Sequence, residues 1–141
     1  MAQAKILVVE DEGIIIRDIK NRLKVLGYPC PATASSGTEA IKKVASFHPD
    51  LVLIDIQLKG EMDGIKAARQ IHDLFDIPVV YLIEDADEET LQDGELIEPF
   101  YYILKPCAED SLHISIERAL YQHKMRRVWR LFGNEQIRGH A

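Results

Sequence analysis

The sequence predicts an α/β domain whose parallel sheet is covered by helices on both faces. Three observations lead there. Short runs rich in Ile and Val alternate with segments whose apolar residues recur at helical spacing, the pattern of strand–helix units. The runs are continuously apolar instead of alternating, as strands buried on both faces must be. With 141 residues and 47% hydrophobic side chains, the chain can bury a substantial core.

Lys5-Ile6-Leu7-Val8-Val9 is the first expected strand. Ile15, Ile19, Leu23 and Leu26 then form one inward stripe of a helix that Gly27 ends. Residues 28–34 carry Pro29 and Pro31, which cannot donate to a ladder, so a strand there belongs at a sheet edge. Ser36 opens a second helix with Ala40, Ile41, Val44 and Ala45 inward, closed by His48-Pro49. Leu51-Val52-Leu53-Ile54-Asp55 is a buried strand that ends on a carboxylate.

A loop, Lys59 to Gly64, leads to a helix with Ile65, Ala68 and Ile71 inward, Asp63-Gly64 serving as turn and helix start. Pro78 opens the strand Val79–Ile83. Residues 84–98 hold eight acids and no base, and their pattern supports a short helix around Asp87 to Gln92. Phe100–Leu104 is a fifth strand and Lys105-Pro106 a turn. A last helix carries Leu112, Ile116, Ala119 and Leu120 as its stripe.

Charge is uneven along the chain. Residues 1–117 hold 11 basic and 22 acidic side chains, net −11, whereas residues 118–141 hold six basic and one acidic, net +5. Because Val128, Trp129, Leu131 and Phe132 sit among those arginines at helical spacing, the tail reads as a helix continuing out of the domain, not as a nucleic-acid arm. The expected division is a domain at 1–123 and a basic helical extension or linker at 124–141. The spacing Tyr121, Met125, Val128, Phe132 forms a second stripe; residues 112–132 could serve a homodimer or an adjoining domain.

No apolar run approaches the roughly 20 residues of a membrane helix. The start lacks a basic-then-apolar leader, so the cytoplasm is the expected location. Cys30 and Cys107 form no zinc or disulfide pattern and are expected to be buried thiols. The histidines at 48, 72, 113, 123 and 140 show no ligand spacing and are expected on loops or helix surfaces.

In an open parallel sheet, ligands bind beyond the carboxyl ends of the strands. Glu10 and Asp11 follow the first strand, Asp55 ends the third and Lys105 follows the fifth, so all four project to one edge. Carboxylates brought together there repel at about 4 kcal/mol per pair at 4 Å in an effective dielectric of 20. Lys105 alone cannot offset that, whereas a Mg²⁺ held by oxygen ligands can. The implied chemistry is phosphoryl transfer, with Asp55, rigidly placed at a strand end, as nucleophile.

The segments VVEDE at 8–12, LVLIDIQLKGEMDG at 51–64 and YYILKP at 101–106 resemble the receiver domain of two-component response regulators, over residues 5 to about 123. The resemblance implies that Asp55 accepts a phosphoryl group from a histidine kinase or a phosphotransfer protein. It implies that Glu10, Asp11, Asp55 and the Gln57 backbone carbonyl hold Mg²⁺, and that Lys105 pairs with the phosphoryl group. The implied fold is flavodoxin-like: five strands, doubly wound, order 2-1-3-4-5. No external substrate is turned over, and neither nucleic acid nor membrane is an expected partner.

One position departs from that pattern. Receivers usually carry Thr or Ser at the end of the fourth strand, where this chain has Ile83; Thr90 falls seven residues later and cannot replace it. Tyr102 matches the family's switch aromatic, and Glu84 adds a carboxylate where a small residue is common. The expectation is a switch that Ile83 weakens without abolishing. A phosphorylation-independent interaction module is the alternative. An aspartyl-phosphate phosphatase is disfavoured, because Asp55-Ile56-Gln57 lacks the second acid such enzymes use.

Overall fold

In the computed structural model, residues 3–84 and 101–139 are described. Five strands, β1 (Ile6–Val9), β2 (Ala32–Ala34), β3 (Leu51–Asp55), β4 (Val79–Ile83) and β5 (Tyr101–Leu104), form one sheet in the order β2-β1-β3-β4-β5. Every pairing is parallel. Among the described residues, four helices cover it: α1 (Gly13–Leu26), α2 (Gly37–Phe47), α3 (Gly64–Phe75) and α4 (Glu109–Gly139). The sequence-expected sheet and strand order are those observed.

Two apolar layers result from the period-2 alternation of side chains along each strand. Leu7, Val9, Val52, Ile54, Val79, Tyr81 and Ile83 share one layer with residues of α2 and α3. Ile6, Val8, Leu51, Leu53, Val80 and Leu82 share the other with Ile19 and Leu23 of α1 and Leu112 and Ile116 of α4. β1, β3 and β4 are buried at every position, which is why their sequences are continuously apolar.

The helix ends follow local chemistry. Ser36 Oγ accepts the Glu39 N–H, and an Asp63 carboxylate oxygen accepts the Lys66 N–H, capping α2 and α3. Gly27, at φ 90°, ends α1 in the left-handed conformation. His48 and Asp76 adopt the same region at the ends of α2 and α3.

Several expectations need correction. Only Ala32–Ala34 of the 28–34 segment is strand; Pro29 and Pro31 precede it, and the Pro29 carbonyl accepts the Ile6 N–H at 2.9 Å. Cys107 is buried, but Cys30, beside the sheet edge, is partly exposed. His123 is not a bare surface residue: its Nε2 lies 2.7 Å from the Asp76 carbonyl oxygen and 3.3 Å from its carboxylate. The helix expected at 87–92 and Phe100 lie outside the described residues. α4 runs unbroken past residue 123, and no described helix is long and apolar enough to cross a membrane.

Candidate acidic site at the carboxyl edge of the sheet

Parallel strands deliver their C-terminal residues to one edge, and the charged residues gather there. Glu10 follows β1, held in line by its N–H bond to the Ala34 carbonyl at 3.0 Å. Asp55 ends β3, and the Ile56 N–H bonds the Leu82 carbonyl of β4 at 3.1 Å. Lys105 follows β5; its N–H bonds the Ile83 carbonyl at 2.8 Å, so the backbone of β4 aims the lysine. The Lys105-Pro106 peptide is cis.

The side chains converge as the sequence implied. Carboxylate oxygens of Glu10, Asp11 and Asp55 lie within 4.8 Å of one another. Lys105 Nζ lies 2.8 Å from Glu10 Oε2 and 3.2 Å from Asp55 Oδ2. Asp55 Oδ1 accepts the Gln57 N–H at 3.0 Å, which fixes the carboxylate plane from its own turn. Glu10 Oε1 lies 3.4 Å from the Glu12 N–H.

Burial sets the electrostatics. Glu10 is fully buried, and the loss of water together with the Asp55 charge outweighs the help of Lys105, raising its carboxyl from 4.5 to about 7. Burial by itself would lower the Lys105 ammonium, but its contacts with Glu10 and Asp55 prevail and hold it above its ordinary value. One lysine thus faces three acids. Asp11 Oδ2 is buried with no hydrogen-bond partner among the described residues. An oxygen-only donor set carrying excess negative charge and an unsatisfied buried oxygen fits a hard divalent cation such as Mg²⁺.

Of the remaining candidates, the Ile83 carbonyl accepts the Lys105 N–H, and Glu84 lines one cleft with Lys105. Ile83 is buried in the layer beneath α2 and α3, whereas Tyr102 is 55% exposed. Glu84 is exposed.

Gly64 is the site-shaping residue that sequence reasoning missed. A Cβ there would lie 2.0 Å from the Asp55 carbonyl oxygen, so α3 can start against the end of β3 only because position 64 has no side chain. The Asp63-Gly64 pair was the available signal, but it reads equally as an ordinary turn.

The profile of the response regulator receiver domain matches residues 6–117. The chain is 33% identical over 125 residues to the regulatory protein AtoC of Escherichia coli, covering 87% of this chain and 26% of that protein. It is 34% identical over 118 residues to the phyllosphere-induced regulator PhyR of Methylorubrum extorquens, covering 83% and 43% respectively. It therefore spans less than half the length of either relative.

Among solved structures, the signal receiver domain of a modulated diguanylate cyclase from Desulfovibrio desulfuricans superposes with a TM-score of 0.81 at 32% identity, covering 88% of this chain and 98% of that one. The receiver domain of PhyR from Erythrobacter litoralis gives 0.75 at 36% identity, covering 86% and 92%. A five-stranded sheet of order 2-1-3-4-5, with acids after β1, an aspartate ending β3 and a lysine after β5, is thus accompanied by a family match across four-fifths of the chain. This chain belongs to the response regulator receiver domain family.

Proposed function

We propose that the chain is a phosphoacceptor receiver: Asp55 takes a phosphoryl group from the phosphohistidine of a histidine kinase or phosphotransfer protein, in a two-component system or phosphorelay. The observation that carries this reading is the convergence of Glu10, Asp11, Asp55 and Lys105 on one sheet edge.

Asp55 is the nucleophile. One of its carboxylate oxygens attacks phosphorus, the P–N bond to the donor imidazole breaks, and the imidazole leaves with its electron pair. The Gln57 N–H holds the carboxylate in one orientation, and Lys105 is placed to pair with the incoming phosphoryl oxygens. Glu10, Asp11, Asp55 and the Gln57 carbonyl would hold Mg²⁺, which supplies charge neutralisation for the transferred group. Beside these residues a cleft of about 660 Å³, lined by Ile14, Ile15, Asp18, Ile19, Lys105 and Cys107, gives the donor protein a place to seat.

The domain is then a switch, not an enzyme acting on an external substrate. Its output is a partner surface: a second copy or an adjoining domain meeting residues 112–132. Ile83 offers no hydroxyl to the phosphoryl group, and the lost bond to a charged group is worth roughly 1.5–3 kcal/mol. Moving a two-state equilibrium from 1:99 to 99:1 takes about 5.5 kcal/mol, so coupling to Tyr102 is weakened without being abolished. Residues 1–123 form the receiver and 124–141 its helical extension, working in the cytoplasm.

The test is intact mass after incubation with Mg²⁺ and acetyl phosphate, beside an Asp55→Asn control. One phosphoryl adduct that needs both Mg²⁺ and Asp55 is expected. No adduct, with Mg²⁺ binding also absent, would instead make the chain a phosphorylation-independent interaction module.

A further inference from the structure

A second cleft, of about 570 Å³, lies where the end of α3 meets the outer part of α4. It is remote from the phosphoacceptor edge: α3 starts against Asp55 at Gly64, and Asp76 caps its far end, about 18 Å along the helix axis. From α4 the cleft takes His123, Arg126, Trp129 and Arg130. All four lie beyond residue 117, where the family match ends, so they are additions to the matched domain. At 100° per residue they fall within an arc of about 120°, on one side of the helix.

The carboxylates of this cleft are matched from within. Asp73 Oδ1 lies 3.2 Å from His72 Nδ1, and Asp76 Oδ1 has His123 Nε2 at 3.3 Å and an Arg130 guanidinium nitrogen at 3.6 Å. The same His123 nitrogen lies 2.7 Å from the Asp76 carbonyl oxygen and covers the carbonyl end of α3, the negative end of its dipole. The features that would repel an anion are thus offset. A guanidinium also carries five N–H donors, more than one carboxylate engages. Arg126 and Arg130, one turn apart on the same face, are near enough to share a phosphate. On the other side of Arg126, Trp129 is 68% exposed and presents its indole as a stacking face.

We propose that this cleft binds a purine nucleotide, the base stacked on Trp129 and the phosphate held by Arg126 and Arg130. A bare anion would leave the indole unused, and an apolar ligand would leave the guanidinium charges unmet; a planar ring joined to a phosphate satisfies both. A purine offers the larger stacking area. Asp73, whose side chain is 76% exposed, is an acceptor for a base, and guanine, with two adjacent N–H donors, matches a carboxylate best. The volume suits a small ligand of this kind. Because the chain carries a net charge of −6, its overall field does not draw a phosphate in, and the attraction has to be local. Occupancy ties the end of α3 to the extension of α4, and nothing in the site depends on Asp55.

GMP titrated into the full chain, followed by the fluorescence of Trp129, its single tryptophan, tests this. Saturable quenching is expected, unchanged in Asp55→Asn. Calorimetry should place guanosine and inorganic phosphate at least about tenfold below GMP in affinity, because each makes only part of the contacts. Arg126→Gln, Arg130→Gln and Trp129→Leu should each weaken GMP at least about tenfold by calorimetry, with circular dichroism showing that the helices remain. Arg127→Gln, about 100° round the helix from Arg126, should bind GMP as the parent does. Amide exchange should slow with GMP at the end of α3 and at residues 123–130 together. Absence of saturable binding at millimolar GMP overturns the proposal. So does inorganic phosphate binding as tightly as GMP, the mark of a plain anion site. Equal losses in Arg127→Gln and Arg126→Gln overturn it as well, since the attraction would then be diffuse.

Discussion

Gly64 opens α3 directly against the backbone of Asp55: a methyl group on its α carbon would lie 2.0 Å from the Asp55 carbonyl oxygen and 2.9 Å from Ile56 Cα. These contacts are with backbone, which cannot swing aside. Gly64→Ala should therefore displace either α3 or the end of β3, at a cost of about 1–3 kcal/mol for overpacking. Urea unfolding measures that loss. The same variant should take up phosphoryl from acetyl phosphate more slowly than Gly13→Ala, whose added Cβ meets nothing within 4 Å.

Lys105 and Glu10 form a buried pair at 2.8 Å. Removing the cation leaves a buried carboxylate facing two others, and breaking such pairs costs about 3–5 kcal/mol. Lys105→Met should be destabilised on that scale in EDTA. Added Mg²⁺ should restore more stability to the variant than to the parent, because the ion is then the site's only cation; equal restoration in paired thermal melts would contradict this account.

The raised Glu10 carboxyl has a pH consequence. Its folded value of about 7 exceeds the ordinary 4.5, so the folded chain binds that proton more tightly than the unfolded chain. The stabilisation is fully present below pH 4.5 and is lost as pH rises through about 7. In EDTA, Tm should fall across that window, and Glu10→Gln, which cannot ionise, should flatten the slope. Saturating Mg²⁺ should oppose the fall, since it favours the ionised carboxylates.

Ile83→Thr tests the altered switch. The substitution exchanges a buried alkyl group for a hydroxyl and should cost about 1–3 kcal/mol of stability. In return, phosphorylation should shift the inward population of Tyr102 at least about tenfold further than in the parent chain. Tyr102 ring resonances under Mg²⁺ and acetyl phosphate report it. Equal shifts in both proteins would show that Ile83 does not limit the coupling.

Asp76 anchors the outer part of α4 through His123 and Arg130. Asp76→Ala removes the carboxylate and keeps the left-handed backbone strain at φ 54°, so amide exchange along residues 124–130 should quicken by the equivalent of about 0.2–1 kcal/mol, the worth of a half-exposed ion pair. Asp76→Gly, which relieves the strain and keeps the carbonyl that His123 bonds, should be milder.

By itself the sequence determined the sheet and its chemistry-bearing edge. Continuous Ile and Val runs can be satisfied only by strands buried on both faces, and a parallel sheet sends every strand's last residue to one side. Glu10, Asp11, Asp55 and Lys105 were therefore placed together before any contact was known. Ser36, Asp63 and Gly27 were legible as helix ends because capping is local. Tertiary structure alone decided which acid Lys105 approaches most closely, how near Gly64 comes to Asp55 and that His123 reaches across to Asp76. Those relations join residues far apart in the chain, and their distances depend on how helices seat on the sheet, which periodicity does not encode.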